Sequence, residues 1–211
     1  MPKQQTSMSK IVKDLSSRDS KLANVIAAHP LCTLGGAVSK YSNFESLVES
    51  VISQQLSVKA SETIYKRLQE AAGFSLTPDS VSAISEENMR GCGLSAAKVK
   101  TVNGLAQAAI TGVIDFETLH EIDSDEQISS TLNSLWGIGP WTVDMFMMHQ
   151  LGRLDVWPTG DLGVRRGWEK LYGLADQIEP KALDVAAEKF RPYRSVVAWY
   201  CWKATDANFQ V

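Results

Sequence analysis

The apolar residues of this chain recur with the period of an α-helix, and this pattern constrains the fold more than any other feature. From Asn43, a predicted N-cap, they fall on one face: Phe44, Leu47, Val48, Val51 and Ile52. A second helix carries Ile64, Leu68, Ala71 and Ala72 and stops at Gly73, and another opens at Ser95 and closes at Gly112. No stretch shows the strict alternation of a β-strand. We therefore predict an all-α protein of nine or ten helices joined by short loops.

Capping residues predict where further helices begin. Thr77 precedes Pro78, which suits the first helical position, and Ser85 opens a short turn. Ser124 stands three residues before Gln127, the spacing of a capping box. The remaining periodic stretches predict helices over 141–151, 162–172, 181–190 and 192–204.

Composition narrows the class of protein. The chain has 211 residues, 44% of them hydrophobic, which suffices for one core or two small lobes. A formal net charge of −3 weighs against a nucleic-acid partner, although the distribution of charge over one face matters more. No apolar run is long enough for a membrane span, and the first ten residues lack the apolar core of a signal peptide. We expect a soluble, intracellular protein without a membrane partner.

The cysteines argue against a metal centre. The chain has three, Cys32, Cys92 and Cys201, and they are far apart in the sequence. This spacing does not suit zinc, and four thiolates for an iron–sulfur cluster are lacking. We expect buried free thiols in a reducing compartment.

The segment Leu135-Trp136-Gly137-Ile138-Gly139-Pro140-Trp141-Thr142 predicts a tight hairpin between two helices. Gly137 and Gly139 are expected to adopt backbone angles that are barred to other residues, and Ile138 to pack between the helices. Backbone N–H groups of the turn would then face outward and bind an anion, of which DNA phosphate is the natural candidate. Taken alone, this short sequence fits an ordinary helix–helix turn better than a phosphate site.

The hairpin followed by Asp161-Leu162-Gly163-Val164-Arg165-Arg166-Gly167 resembles the helix-hairpin-helix (HhH-GPD) glycosylases of alkylation repair, of the 3-methyladenine DNA glycosylase II and small yeast alkylpurine type. Three further segments are similar to that family: residues 52–57, 93–98 and 191–195 with Trp199 and Trp202. The resemblance covers about 44–204. It implies two helical lobes around a DNA-binding cleft. We expect a flexible segment over 1–18 and a glycosylase domain over 19–211, with a central lobe at about 44–150 and another lobe from 19–43 plus 155–211.

The resemblance makes Asp161, 22 residues after Gly139, the catalytic aspartate. A carboxylate beneath the sugar can stabilise the positive charge that develops as an N-glycosidic bond breaks, and can orient the attacking water. Spacing alone also allows Asp161 to be only an N-cap. The chain departs from many relatives at Gly160, where they carry a second acid, which puts that residue's secondary role in doubt.

The residue after Pro140 indicates the type of reaction. Bifunctional relatives place a lysine there, which attacks the sugar and forms a Schiff base. Trp141 cannot do so, and we therefore predict base removal by water with no strand cleavage. We expect no cofactor and no catalytic metal, although a monovalent cation could bind the backbone carbonyls of Leu135 and Gly137.

The resemblance implies an aromatic base pocket formed by Trp141, Met145 and Trp202. Aromatic faces attract the positive charge of N-alkylated purines. The other four tryptophans are expected in the core: Trp136, Trp157, Trp168 and Trp199.

The target base must leave the duplex, and a residue must fill the gap that it leaves. The resemblance puts Leu56 or Ser57 in this position, although a core leucine is as plausible a reading of Leu56. The full set of expected DNA contacts is Gln54, Gln55, Leu56, Ser57, Lys98, Gly137, Ile138, Gly139, Thr142 and Arg165.

These observations predict a monomeric 3-methyladenine DNA glycosylase II type enzyme acting on double-stranded DNA that contains damaged bases, in the cytoplasm or nucleoid of a bacterium or in a eukaryotic nucleus. Two alternatives stay open: a glycosylase for other damaged purines, and a non-catalytic DNA-binding protein with the same hairpin. The carboxylate at Asp161 favours an enzyme over a pure binder.

Overall fold

A computed structural model describes residues 7–36 and 39–205. Within these ranges the protein forms α-helices and two short 3-10 turns, at Leu119–Glu121 and Glu188–Phe190, and no strand. The helices are α1 (Met8–Arg18), α2 (Ser20–Ala28), α3 (Asn43–Ser53), α4 (Val58–Ala71), α5 (Pro78–Ser82), α6 (Glu86–Gly91), α7 (Ala96–Ile110), α8 (Asp125–Asn133), α9 (Pro140–His149), α10 (Leu162–Tyr172), α11 (Pro180–Ala187) and α12 (Arg194–Ala204). The all-α prediction is confirmed.

The predicted caps explain most of these helix starts. Thr77, Ser85, Ser95 and Ser124 each occupy an N-cap, and each side chain accepts a hydrogen bond from a backbone N–H in the first turn. Helix α3 differs by one position, because Ser42 rather than Asn43 is its N-cap.

The N-terminal helices α1 and α2 are the two that the sequence did not predict. In α1, Ile11 and Leu15 lie one turn apart on the same face and are buried. Arg18, at the end of α1, donates hydrogen bonds to the Lys189 and Arg191 carbonyls. Residues 8–18 are therefore folded, in contrast to the flexible segment expected over 1–18. Residues 1–6 of that expectation lie outside the described part of the chain.

The chain divides into two compact units. We call Met1–Ala37 with Gly152–Val211 the terminal unit, and Val38–Leu151 the central unit. The central unit begins somewhat before the lobe expected from residue 44, because Gln150 at the end of α9 donates hydrogen bonds to the Tyr41 carbonyl and to the side chain of Asn43.

In the terminal unit, α10 packs closely against α12. Gly167 permits this approach, since a Cβ at this position would overlap the Cys201 carbonyl of α12. Trp168, the next residue on α10, is buried and packs edge-on against Trp157 with ring centroids 5.7 Å apart. The close crossing of these two helices positions the residues at the start of α10 and the end of α12.

In the central unit, α3 packs against α4, α7 and α9, and its apolar face is buried as predicted. Phe44 packs edge-on against Phe116 with centroids 5.9 Å apart. The three cysteines of the chain are free and buried, as expected. Among the described residues, no helix combines the length and apolar character needed to cross a membrane.

Candidate functional site

Asp161 is the N-cap of α10 in the terminal unit. Its Oδ1 accepts a hydrogen bond from the backbone N–H of Val164, with an N···O distance of 2.8 Å. The same oxygen accepts a second hydrogen bond from the indole Nε1–H of Trp202 on α12, at 2.9 Å. Asp161 is therefore a helix cap, and its carboxylate is also oriented by an aromatic side chain.

Gly163 makes room for this arrangement. A Cβ at Gly163 would lie 2.8 Å from Cδ1 of Trp202 and 3.1 Å from Oδ1 of Asp161. Any larger residue would push the indole away from the carboxylate. The sequence alone gave Gly163 no role, although its position two residues after the aspartate was a visible signal.

The chemical capacity of Asp161 follows from its position. A carboxylate fixed by hydrogen bonds at the start of a helix can stabilise a developing positive charge without reorganising. Arg165, one turn further along α10, is half-buried, and its Nε has no hydrogen-bond partner among the described residues.

The hairpin lies in the central unit, between α8 and α9. Gly137 has φ +83°, and a Cβ there would overlap the hydroxyl of Thr101 on α7. Ile138 is buried, as predicted. Gly139 differs from the prediction. It is the N-cap of α9 with an ordinary extended backbone, and a Cβ would meet no atom within 4 Å.

Gln54, at the end of α3, is bonded to the hairpin. Its Nε2 donates to Oγ1 of Thr142 at 3.1 Å and, more weakly, to the Gly137 carbonyl at 3.4 Å. Thr142 is itself buried. The Leu135 carbonyl accepts from the Ile138 N–H at 3.2 Å. Both carbonyls expected to bind a monovalent cation therefore already have an internal donor.

Lys98 on α7 is hydrogen-bonded to the C-terminal end of α3. Its ammonium donates to the carbonyls of Ile52 and Gln54 at 2.7 and 2.8 Å. Burial lowers the pKa of Lys98. Lys98 was expected to contact DNA, and in the structure its ammonium is bonded to backbone carbonyls of the protein.

The turn after α3 presents exposed side chains. Gln55 has φ +57°, which turns the chain between α3 and α4. Leu56 is 41% exposed and is therefore not a core leucine. Ser57 is exposed, and its side chain caps α4 by accepting from the Ala60 N–H.

Helix α9 carries Trp141, Asp144 and Met145 on its incompletely buried face. Trp141 is 44% exposed, and the other two are half-buried. Burial raises the pKa of the Asp144 carboxyl to about 6. The sequence analysis did not single out Asp144, because an acid on a helix face usually indicates only a solvated surface.

The other four tryptophans differ in how far their side chains are exposed. Trp157 and Trp168 are buried, as predicted, and Trp199 is half-buried. The prediction for Trp136 is wrong, because this residue is 53% exposed at the start of the hairpin.

An all-α fold with a glycine hairpin and a helix-capping aspartate defines the class of helix-hairpin-helix DNA repair proteins. The HhH-GPD superfamily of base excision DNA repair proteins matches residues 48–192. This match covers more than half of the chain, and the chain therefore belongs to that superfamily.

Individual relatives agree with this assignment. DNA-3-methyladenine glycosylase 1 of Schizosaccharomyces pombe is 32% identical over 202 residues, which is 95% of this chain and 89% of the relative. A crystal structure of a Bacillus halodurans DNA-3-methyladenine glycosidase superposes with a TM-score of 0.84 at 33% identity, covering 96% of this chain and 91% of that one. The S. pombe 3-methyladenine DNA glycosylase Mag1 in complex with abasic DNA gives 0.81 at 30% identity, covering 96% and 100%.

Proposed function

We propose that this protein is a monofunctional DNA glycosylase that removes alkylated purines, such as 3-methyladenine and 7-methylguanine, from double-stranded DNA and leaves an abasic site. The observation that carries this proposal is the carboxylate of Asp161, held by two N–H donors at the start of α10. The names of the most similar relatives support the choice of alkylated purines.

The proposed reaction is hydrolysis of the N-glycosidic bond. The bond from C1′ to the base nitrogen breaks, and the bonding electron pair leaves with the base, so that a cationic N-alkylpurine departs neutral. Positive charge develops on the sugar, where Asp161 stabilises it. The oxygen of a water molecule bonds to C1′, and its proton passes to Asp161 or to solvent.

The base would be held by aromatic and polarisable side chains. We propose that Trp202, whose indole is bonded to Asp161, contacts the everted base. Cation–π attraction contributes about 1–2 kcal/mol when the pair is desolvated, and it favours a purine that carries a positive charge. Such bases are already good leaving groups, so that one carboxylate can suffice.

The DNA itself would be contacted by exposed turns and by side chains near the helix starts. We propose that Leu56 enters the gap left by the base, helped by the neighbouring Gln55 and Ser57, because this turn is exposed. The N–H groups of Gly137 and Gly139 and the guanidinium of Arg165 would contact phosphates, whereas the Ile138 N–H already donates to the Leu135 carbonyl. The protein would act as a monomer.

Release of bases from methylated duplex DNA tests the proposal. The wild type is expected to release methylated purines, and Asp161→Asn to reduce the rate by about 100- to 1000-fold, since a charge-stabilising group is lost. Asp115→Asn is the matched control. Asp115 is an exposed carboxylate that also accepts a backbone N–H, from Glu117, and its replacement is expected to leave the rate unchanged.

The outcomes separate the alternatives. A wild type that binds abasic duplex but releases no base from methylated, deaminated or oxidised DNA would be a non-catalytic binder. Release of only deaminated or oxidised purines would identify a glycosylase for other lesions. An Asp161→Asn variant as fast as the wild type would contradict the mechanism.

Borohydride trapping tests the absence of lyase chemistry. Without an amine at Trp141, the enzyme is expected to form no covalent adduct with DNA and to leave the strand intact. A trapped adduct would show a Schiff base and would contradict hydrolysis by water.

A further inference from the structure

Trp136 is a large aromatic side chain with more than half of its surface exposed, one residue before the hairpin glycine. An indole that is exposed to this extent contributes less hydrophobic free energy to folding than a buried one. None of the roles assigned above explains why this side chain faces solvent.

Lys100 accompanies the exposed indole. Its Nζ lies 4.2 Å from the centroid of the Trp136 ring, and the lysine is itself exposed on α7. The next residue on α7, Thr101, is buried directly against Gly137. Two consecutive residues of α7 therefore contact two consecutive residues of the hairpin, which fixes the ammonium beside the turn.

The segments around Lys100 and the hairpin contain no acidic residue. The chain has 24 acidic residues, yet residues 94–104 around Lys100 and 133–143 around the hairpin include none. An ammonium resting on a ring face still has N–H donors available for an anion. A flat indole beside a fixed positive charge suits a deoxyribose next to a phosphate, and the lack of acidic residues in these two segments disfavours a basic protein partner.

We propose that Lys100 and Trp136 form a docking site for one phosphodiester of duplex DNA beside the hairpin, with Lys100 pairing the phosphate and Trp136 holding Lys100 and packing on the sugar. This inference rests on the proposed function, since it assumes a DNA substrate. It adds a side-chain contact to the backbone contacts expected of the turn.

The salt dependence of binding tests the proposal. Affinity for duplex DNA with a tetrahydrofuran abasic analogue is measured by fluorescence anisotropy over a range of salt concentrations. Loss of one phosphate contact lowers the slope of log K against log salt by about 0.9, which weakens binding by about eightfold at ~0.1 M salt. We expect this result for Lys100→Gln, near wild-type behaviour for Lys100→Arg, and weaker binding for Trp136→Ala than for Trp136→Phe.

Lys40→Gln is the matched control. Lys40 is an exposed lysine of the central unit that rests on the Tyr41 ring at 4.7 Å. Tyr41 accepts a hydrogen bond from Gln150, beyond the end of α9 opposite to the hairpin. This variant removes the same charge and the same kind of pair, and it is expected to keep the wild-type slope.

The proposal would be wrong if Lys100→Gln kept the wild-type salt slope. It would also be wrong if Lys100→Gln lowered the affinity for DNA no more than Lys40→Gln does. These results are distinguishable from failure of the proposed function. A protein that releases no methylated base can still show the slope change, and an active enzyme can lack it.

Discussion

Asp161 and Trp202 show how two residues can define a reactive group. A carboxylate oxygen has two lone pairs, and Oδ1 of Asp161 receives two N–H donors, one from the backbone of Val164 and one from the indole. Trp202 was expected as a wall for the base. Its hydrogen bond adds a second proposed role, that of a positioning residue that sets the orientation of the carboxylate.

Trp202→Phe separates these two roles, because it keeps an aromatic ring and removes the donor. A hydrogen bond to a charged acceptor contributes about 1.5–3 kcal/mol, and the single-turnover rate is therefore expected to fall by roughly 10- to 100-fold. Trp199→Phe, on the same helix, is the control. A single-turnover rate in Trp202→Phe equal to that of the wild type would leave only the role of a wall.

The ionisation of Asp144 is expected to make the free energy of unfolding depend on pH. Burial raises the pKa of its carboxyl to about 6, from an ordinary value of 3.8. The unfolded chain therefore releases this proton more readily than the folded chain, and the free energy of unfolding decreases as the pH rises from about 4 through 6.

Asp144→Asn is expected to remove this dependence. Because the side chain is only half-buried, the expected gain in the free energy of unfolding at pH 7.5 is about 1–2 kcal/mol, with little or no gain at pH 4. Urea unfolding at the two pH values measures the gain in the free energy of unfolding. Asp115→Asn serves as the exposed control. An equal effect at both pH values would show that ionisation is not the cause.

At the scale of elements, the hairpin combines two glycines that look alike in the sequence and differ in the structure. Gly137 has a positive φ and lies against Thr101, whereas Gly139 has an extended backbone and open space around its Cα. A glycine at Gly139 is therefore not required by the conformation or packing of the protein alone.

Gly137→Ala is expected to lower the free energy of unfolding by about 2–4 kcal/mol, because a strained φ and an overlap with Thr101 add together. Gly139→Ala is expected to change it by less than about 1 kcal/mol. Thermal or urea unfolding of the two variants measures the difference. Equal destabilisation would contradict the contrast between the two backbones.

Most helices could be predicted because their caps and apolar periods are local signals. Helix α1 was not predicted, although Met8, Ile11, Val12 and Leu15 have the spacing of one apolar helix face. Only Ile11 and Leu15 are buried, and so short a period in a polar segment also occurs by chance. Their burial depends on partners that no local pattern identifies.

At the scale of the whole molecule, the net charge of −3 weighed against DNA as a partner. The local charge weighs the other way, because residues 133–143 contain no acid and Lys100 lies beside the hairpin. Net charge describes the long-range field, whereas a phosphate contact depends on the charges nearest to it.

The three buried cysteines predict low thiol reactivity in the native protein. Burial raises the pKa of Cys32 to about 11 and also raises that of Cys201, and the thiolate is the reactive form. A chromogenic disulfide reagent at pH 8 is expected to label less than about one thiol within minutes in the native state. In denaturant it should label all three. Rapid labelling of the native protein would show that a cysteine is accessible.

By itself, the sequence determined the helical class, most helix starts, the hairpin, the aspartate and the family. These features depend on residues a few positions apart, or on a set of motifs in a fixed order. Only the tertiary structure decided three hydrogen-bonded contacts. Trp202 bonds to Asp161, Lys98 bonds to the carbonyls at the end of α3, and Gln54 bonds to the hairpin. These contacts join residues separated by 41, 46 and 83 positions. At such separations, packing selects the partners, and no local pattern encodes it.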